Sequence, residues 1–173
     1  MIFVSVGTQL AFDRLITAVD EWAEAASERE VFAQIGPTRL RPRHIRHAQF
    51  VSPEECGELM LRADAIVAHA GIGTILTALE IGRPLLVMPR RAALGEHRND
   101  HQLTTARRFA ELGKVKVAFD EVELRLRLDE LDRVPAQARI GTSAPDDFVA
   151  ALRAFIADPS PLLVGPNAPR SVP

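Results

Sequence analysis

Two hydrophobic rhythms alternate along this chain. Short, nearly unbroken apolar runs at Ile2–Val6, Val31–Ile35, Ala65–His69 and Leu85–Met88 have the length and content of strands buried on both faces. Between them, apolar residues recur every three or four positions, as helices with one buried face require. Leu15, Ile16, Val19, Trp22, Ala23 and Ala26 form one such stripe; Ile75, Leu76, Leu79 and Ile81 form a second; Leu103, Ala106, Phe109 and Ala110 form a third. Two weaker runs, Ala48–Val51 and Val115–Phe119, read as a third and a sixth strand.

The punctuation agrees. Ser52 followed by Pro53 and then Glu55 is a helix start, with a capping box predicted between Ser52 and Glu55 and the helix running to about Arg62. Gly82 with Pro84 just beyond ends the helix after Thr74, Gly113 stops one predicted from about Asn99 to Leu112, and Asp120 caps one through Leu131. Asp146-Asp147 open a last amphipathic helix with Phe148, Ala151, Leu152, Phe155 and Ile156 on one face. Prolines at 159, 161, 166, 169 and 173 mark a tail expected to be poorly ordered, so the domain is predicted over 1–158 and the tail over 159–173.

Strand alternating with helix predicts an α/β fold: a three-layer, Rossmann-like parallel sheet with helices on both faces. In such sheets ligands bind beyond the carboxyl ends of the strands, where the strand order reverses. The turns after Val6, His69 and Met88 all fall on that edge.

Composition narrows the partners. A chain of 173 residues, 47% hydrophobic, can bury one proper core, and a single Cys56 excludes a disulfide framework. A net charge of −2, one Trp and no Tyr give neither the basic pull nor the stacking platform of a nucleic-acid binder. No apolar run is long enough for a membrane span, and Met1–Gly7 reads as a first strand, not a signal peptide; a cytoplasmic setting is expected.

The candidate chemistry lies in the turns. The segment His69-Ala70-Gly71-Ile72-Gly73-Thr74 passes from strand into helix, and its glycines allow close approach of an anion to the free amides of a helix start. Gly7-Thr8 is a second such turn. On spacing alone, either is a phosphate cradle or simply a tight turn, and neither fits the GxGxxG or GxxxxGK[ST] patterns. The basic run Thr38–His47 is either a solvated loop or a surface for phosphates, acidic lipid or a partner. His97 and His101 have metal-ligand spacing, but Arg98 stands where HExxH needs Glu, so no metal is expected. His69 is either a phosphate neighbour or a packed strand-end residue. Arg90-Arg91 is either a steering pair for an anion or a solvated loop.

Taken together, the FVSVGT run at Phe3–Thr8, then RADAIVAHAGIGT, EIGRPLLVMPR and DHQLTTAR, resemble the C-terminal, donor-binding domain of GT-B glycosyltransferases, specifically family 28. The likeness extends to about Gly113. It is similar to free-standing versions of that domain in split glycosyltransferases, in bacterial exopolysaccharide synthesis and in dolichol-linked N-acetylglucosaminyl transfer. The resemblance implies that Gly7, Thr8 and His69–Thr74 hold the diphosphate of a UDP-sugar, and that the backbone of Phe50 and Val51 reads the uracil. It further implies that Asp100, His101 and Gln102 meet the donor sugar, an amide being suited to paired hydroxyls. It implies inverting transfer of a hexosyl group, GlcNAc, Glc or GlcA, to a lipid-linked glycan acceptor without a metal or other cofactor. The acceptor half of the enzyme is expected on a separate, membrane-anchored partner, which would also carry the catalytic base and hold this chain at the inner face of the membrane.

One position departs from the pattern. Where the family places a ribose-binding Glu, this chain has Thr77; Glu80, one turn further on, either replaces it or is an exposed helix-end charge. That departure motivates an alternative, a non-catalytic nucleotide-sugar-binding or regulatory module. Arg90, Arg91 and Arg98 would be near enough in sequence to meet a carboxylated sugar.

Overall fold

The computed structural model describes residues 1–131 and Ala150. The chain divides into two compact units, Met1–Ile140 and Gly141–Pro173, and the second has only Ala150 among the described residues. The predicted helix from Asp146, the tail and the boundary at 158 therefore lie outside the described residues.

The first unit is built on six parallel strands: β1 (Ile2–Ser5), β2 (Val31–Gln34), β3 (Arg46–Ala48), β4 (Ala65–His69), β5 (Leu85–Met88) and β6 (Lys116–Val117). Their order across the sheet is β3-β2-β1-β4-β5-β6. Sequence order thus reverses between β1 and β4, which makes the gap beyond their carboxyl ends the switch point of the sheet.

Among the described residues five α-helices are complete, in chain order α1 (Asp13–Ala25), α2 (Pro53–Arg62), α3 (Ile72–Ile81), α4 (His101–Glu111) and α5 (Glu121–Asp129), with a short 3-10 turn at Ala92–Leu94. They cover both faces. Alternation along the strands sends Ile2, Val4, Val67, Leu86 and Met88 to one core with α1 and α5. Phe3, Ile66, Ala68, Leu85 and Val87 go to the other, with α2, α3 and α4. Full burial of strands on both faces accounts for their unbroken apolar runs. The expected three-layer architecture is what the chain adopts.

The caps form as their chemistry dictates. Ser52 Oγ accepts the Glu55 amide at 3.1 Å while the Glu55 carboxylate accepts the Ser52 amide at 2.8 Å. Asp120 accepts the Glu123 amide at 2.8 Å and starts α5. Gly82, at φ 72°, ends α3.

Four expectations need correction. The third strand is Arg46–Ala48, not Ala48–Val51: it is an edge strand pairing only with β2, so its polar residues face solvent and carry no apolar signal. Beyond Gln49 the chain has left the sheet to reach the Ser52 cap, leaving Phe50 50% exposed. Leu76 and Ala110 are exposed, because Ile75, Ala78 and Leu79 of α3 and Gln102 and Ala106 of α4 are the residues buried in the core, with Ile81 and Phe109 packed at its margin. The sixth strand is two residues long and α4 starts at His101, since Asn99 and Asp100 spend their side chains on the turn before it.

The basic run Thr38–His47 is a loop as far as Ile45, tethered to α1, and then enters β3: the amides of Arg43 and His44 both donate to the Asp20 carboxylate. Arg39, Arg41 and Arg43 are exposed. This crossover from β2 to β3 has no helix, and Thr38 and Ile45 are its buried anchors.

Candidate functional site

A cleft of about 510 Å³ opens at the switch point. Its floor is the carboxyl ends of β1 and β4, and its walls are the turns that follow them, the start of α2 and the segment joining β5 to α4. Among the predicted site residues, Gly7, Thr8, Val51, His69, Gly71, Ile72, Gly73, Thr74, His101 and Gln102 line it. Phe50, Ala70, Thr77 and Asp100 do not.

Each of these four has a local reason. Phe50 is in the connector and points outward. Ala70 is buried behind the turn. Thr77 is exposed and returns its hydroxyl to the Gly73 carbonyl at 3.0 Å. Asp100 accepts the Ala92 amide at 2.8 Å and shapes the turn instead. Glu80 is exposed near the far end of α3, about 12 Å of helix beyond the start at 1.5 Å per residue, and is not in the cleft wall.

The turn into α3 is set up for an anion. Gly71 caps the helix with no side-chain acceptor, so the first amides of α3 have no partner from within the helix and face the cleft with the positive end of the helix dipole. Nothing lies within 4 Å of a Cβ placed on Gly73. The His69 ring packs between the two glycine turns. A Cβ on Gly7 would fall 2.9 Å from its Cε1, and one on Gly71 would collide with its Nε2. Gly7 also sits at φ 77°, where a side chain is strained. His69 Nδ1 lies 3.4 Å from the Ser5 carbonyl. Burial first, then the positive charge of Arg90, pulls its pKa down to about 4, so at neutral pH the ring is uncharged. His69 is thus both a packed residue and a cleft residue.

Among the described residues no acid lines the cleft. Its lining includes three of the chain's five histidines (His69, His97 and His101) and Arg90, with no carboxylate. His97 and His101 meet edge to face with ring centroids 4.5 Å apart. Burial, then His101, Arg90 and Arg98, hold the His97 imidazole below its ordinary pKa. His101 Nδ1 is held by Asn99 Oδ1. Among the described residues no group of three or more His, Cys, Asp or Glu comes together.

Two residues have framework roles that the sequence reading did not assign. Gln34, at the end of β2, is buried; its Oε1 accepts the Ser5 hydroxyl at 2.9 Å and its amide donates to the Gly7 carbonyl at 3.1 Å. It fixes the path of the first glycine turn. A lone amide in the run Val31–Ile35 was its signal, since a buried polar group must find partners.

Arg90 is the second. It is 2% exposed, and its guanidinium donates to the carbonyls of Val6 and Leu10 at 2.8 and 2.7 Å, to Glu96 O at 3.3 Å and to Ala11 O. The same group lies 4.7 Å over the Phe12 ring, with Arg14 at 5.3 Å from it. The Arg90 amide donates to Gln102 Oε1 at 3.2 Å. Arg90 is therefore neither solvated nor free to steer a ligand; it ties the loop after β1 to the loop after β5. Arg91 donates from its own amide to Glu96 and from its side chain to Phe119 O, and neither Arg91 nor Arg98 lines the cleft. Glu96 completes the tie, pairing with Arg14 through bonds of 2.7 and 2.9 Å.

A cleft at the switch point of a parallel sheet, with an uncapped helix start on one wall and a buried amide on another, defines a Rossmann-like α/β domain. Residues 1–141 match the glycosyltransferase family 28 C-terminal domain, and the chain belongs to that family. It is 30% identical over 122 residues to the human UDP-N-acetylglucosamine transferase subunit ALG13, across 65% of this chain and 10% of the relative. It is 37% identical over 83 residues to the protein of the same name from Eremothecium gossypii, across 48% of this chain and 36% of the relative. The chain thus spans about a tenth to a third of the curated relatives it matches.

Solved structures agree on the fold. An NMR solution structure of ALG13 superposes with a TM-score of 0.58 at 19% identity, over 91% of this chain and 96% of that one. The glycotransferase of kitacinnamycin superposes at 0.59 and 24% identity, over 78% of this chain and 35% of that one.

Proposed function

We propose that this chain is the donor-binding subunit of a split glycosyltransferase, holding a UDP-sugar in the cleft for transfer to a lipid-linked glycan acceptor. The observation that carries the reading is the α3 start: unpartnered amides at Ile72, Gly73 and Thr74 facing an acid-free cleft, with Gln102 on the opposite wall. The diphosphate would settle on those amides and Gly7-Thr8. The uracil would lie by Val51 and the sugar by Gln102 and His101.

The barrier to such a transfer lies at an oxocarbenium-like carbon and a leaving diphosphate that gains charge. Oriented amides stabilise that charge as it develops, and the reading needs no metal for it. Inversion would follow from direct attack by the acceptor hydroxyl, its proton passing to a base on the partner. The names of the relatives, which specify a UDP-N-acetylglucosamine transferase subunit, support both a partner and N-acetylglucosamine as the sugar. Glucuronic acid is disfavoured because the one cleft arginine already faces four carbonyls. No helix among the described residues is long and apolar enough to cross a membrane.

The exposed Thr77, turned away from the cleft, favours a second reading, a nucleotide-sugar-binding module without catalysis. Both readings require donor binding. The test is calorimetric titration of the chain with UDP beside a Gly73→Asp variant. Open space at Gly73 lets the carboxylate fit, and an acid in the first turn suits a helix, so the variant folds while repelling the diphosphate. Saturable UDP binding, weakened at least tenfold in the variant, is expected. Absence of binding at millimolar UDP, or binding unchanged in the variant, overturns the assignment. Adding UDP-N-acetylglucosamine and the partner then separates transferase from module by product formation.

A further inference from the structure

Resting on that reading, the cleft's geometry also fixes the protonation of one of its walls. The His69 ring lies between Gly7 and Gly71 and fills the space that a Cβ on either would need. Its Nδ1 faces the Ser5 carbonyl at 3.4 Å, and its Nε2 end abuts Gly71, at the start of α3, where the diphosphate would lie.

A neutral imidazole has one N–H and one lone pair. If Nδ1 carries the hydrogen, the Nε2 lone pair meets phosphate oxygen. If Nε2 carries it, the Nδ1 lone pair meets the Ser5 carbonyl. Either tautomer sets two acceptors against each other, and only the imidazolium, with two N–H donors, satisfies both sides. Within the protein, Arg90 and, when protonated, His97 oppose a positive charge on His69, and among the described residues no carboxylate lines the cleft to offset them. A diphosphate brings two negative charges and reverses that balance.

We propose that the diphosphate enters this cleft together with a proton, which His69 takes up as the anion settles against it and the first amides of α3. Donor binding is then a proton-coupled event, and the His69 ring stays neutral until the anion arrives. Release of the diphosphate returns the proton, so affinity falls as pH rises through the range between the free and bound states of the ring.

Calorimetric titration of the chain with UDP-N-acetylglucosamine, in two buffers of different ionisation enthalpy, counts the protons. Its diphosphate is a diester with no proton of its own to exchange near neutrality. Uptake close to one proton is expected at about pH 6, with Kd rising up to tenfold per pH unit until the bound ring deprotonates. In His69→Gln, whose amide donates without titrating, the uptake disappears and the pH dependence flattens. Binding with no proton uptake overturns the inference and leaves the donor reading standing. Uptake that persists undiminished in His69→Gln also overturns it, by assigning the proton to His97 or His101. No binding at any pH overturns the donor reading and this inference with it.

Discussion

Arg90→Met tests how the cleft is held together, because it keeps the volume and the packing on Phe12 while deleting the guanidinium. Four carbonyls, those of Val6, Leu10, Ala11 and Glu96, lose their donor. At about 1 kcal/mol for each bond lost, offset partly by no longer burying a charge and by water reaching the half-buried acceptors, the net cost is about 3 kcal/mol. Arg90→Lys keeps the charge but replaces a planar fork by a point, and is expected to cost about half as much. Urea unfolding of the three proteins, followed by UDP titration of each under native conditions, gives both readouts. The expected result is a lower midpoint at unchanged m-value, together with weaker UDP binding, since the loops after β1 and β5 lose their common tie. A loss within about 0.5 kcal/mol for Arg90→Met, with UDP affinity unchanged, would refute the reasoning.

Two further outcomes follow from His69. Gly71→Ala drives a Cβ into Nε2 and tips the ring off Ser5, so it is expected to cost about 1–2 kcal/mol and weaken UDP binding about tenfold. Gly73→Ala, with open space around it, costs little on both counts; equal effects for the two would show that the ring does not fill the space beside Gly71. Because the native ring titrates at about 4 against 6.5 for a free histidine, the folded state binds fewer protons between those values. That stability is complete above about pH 6.5 and is lost as pH falls toward 4, to a total of about 2–3 kcal/mol after allowing for partial exposure. Urea midpoints at pH 7 and pH 4.5 should therefore fall further for the wild type than for His69→Gln; parallel losses would sink the claim.

Much of the architecture was legible because double-sided burial leaves a plain signature. Ile2–Val6 and Leu85–Met88 are apolar at every position, and helices between them carry one stripe each. The capping box at Ser52 and the stop at Gly82 could be placed to the residue, since both depend on local chemistry. Arg46–Ala48 could not, because an edge strand held by backbone bonds to β2 needs no apolar residues. The glycine turns and Gln102 were found in sequence, and the sheet topology brings them to one cleft. What sequence left open was which polar residues look inward. Arg90 and Arg91 are adjacent, yet one is buried under Phe12 and the other is turned to Phe119; only the tertiary path of the loop separates them. Gln34 was hidden for the opposite reason, as one polar residue inside an apolar run.

The hydrogen bonds of the Arg90 guanidinium grip main chain and not side chains. Val6, Leu10 and Ala11 offer it only their carbonyl oxygens, so the course of this loop does not depend on the identity of Thr8, Gln9 or Leu10, which project into solvent at the mouth of the cleft. Framework and contact surface are thereby written in separate alphabets. The rim can be rewritten residue by residue, by natural drift or in a library, to suit another sugar or another partner, while the scaffold beneath it stays in register.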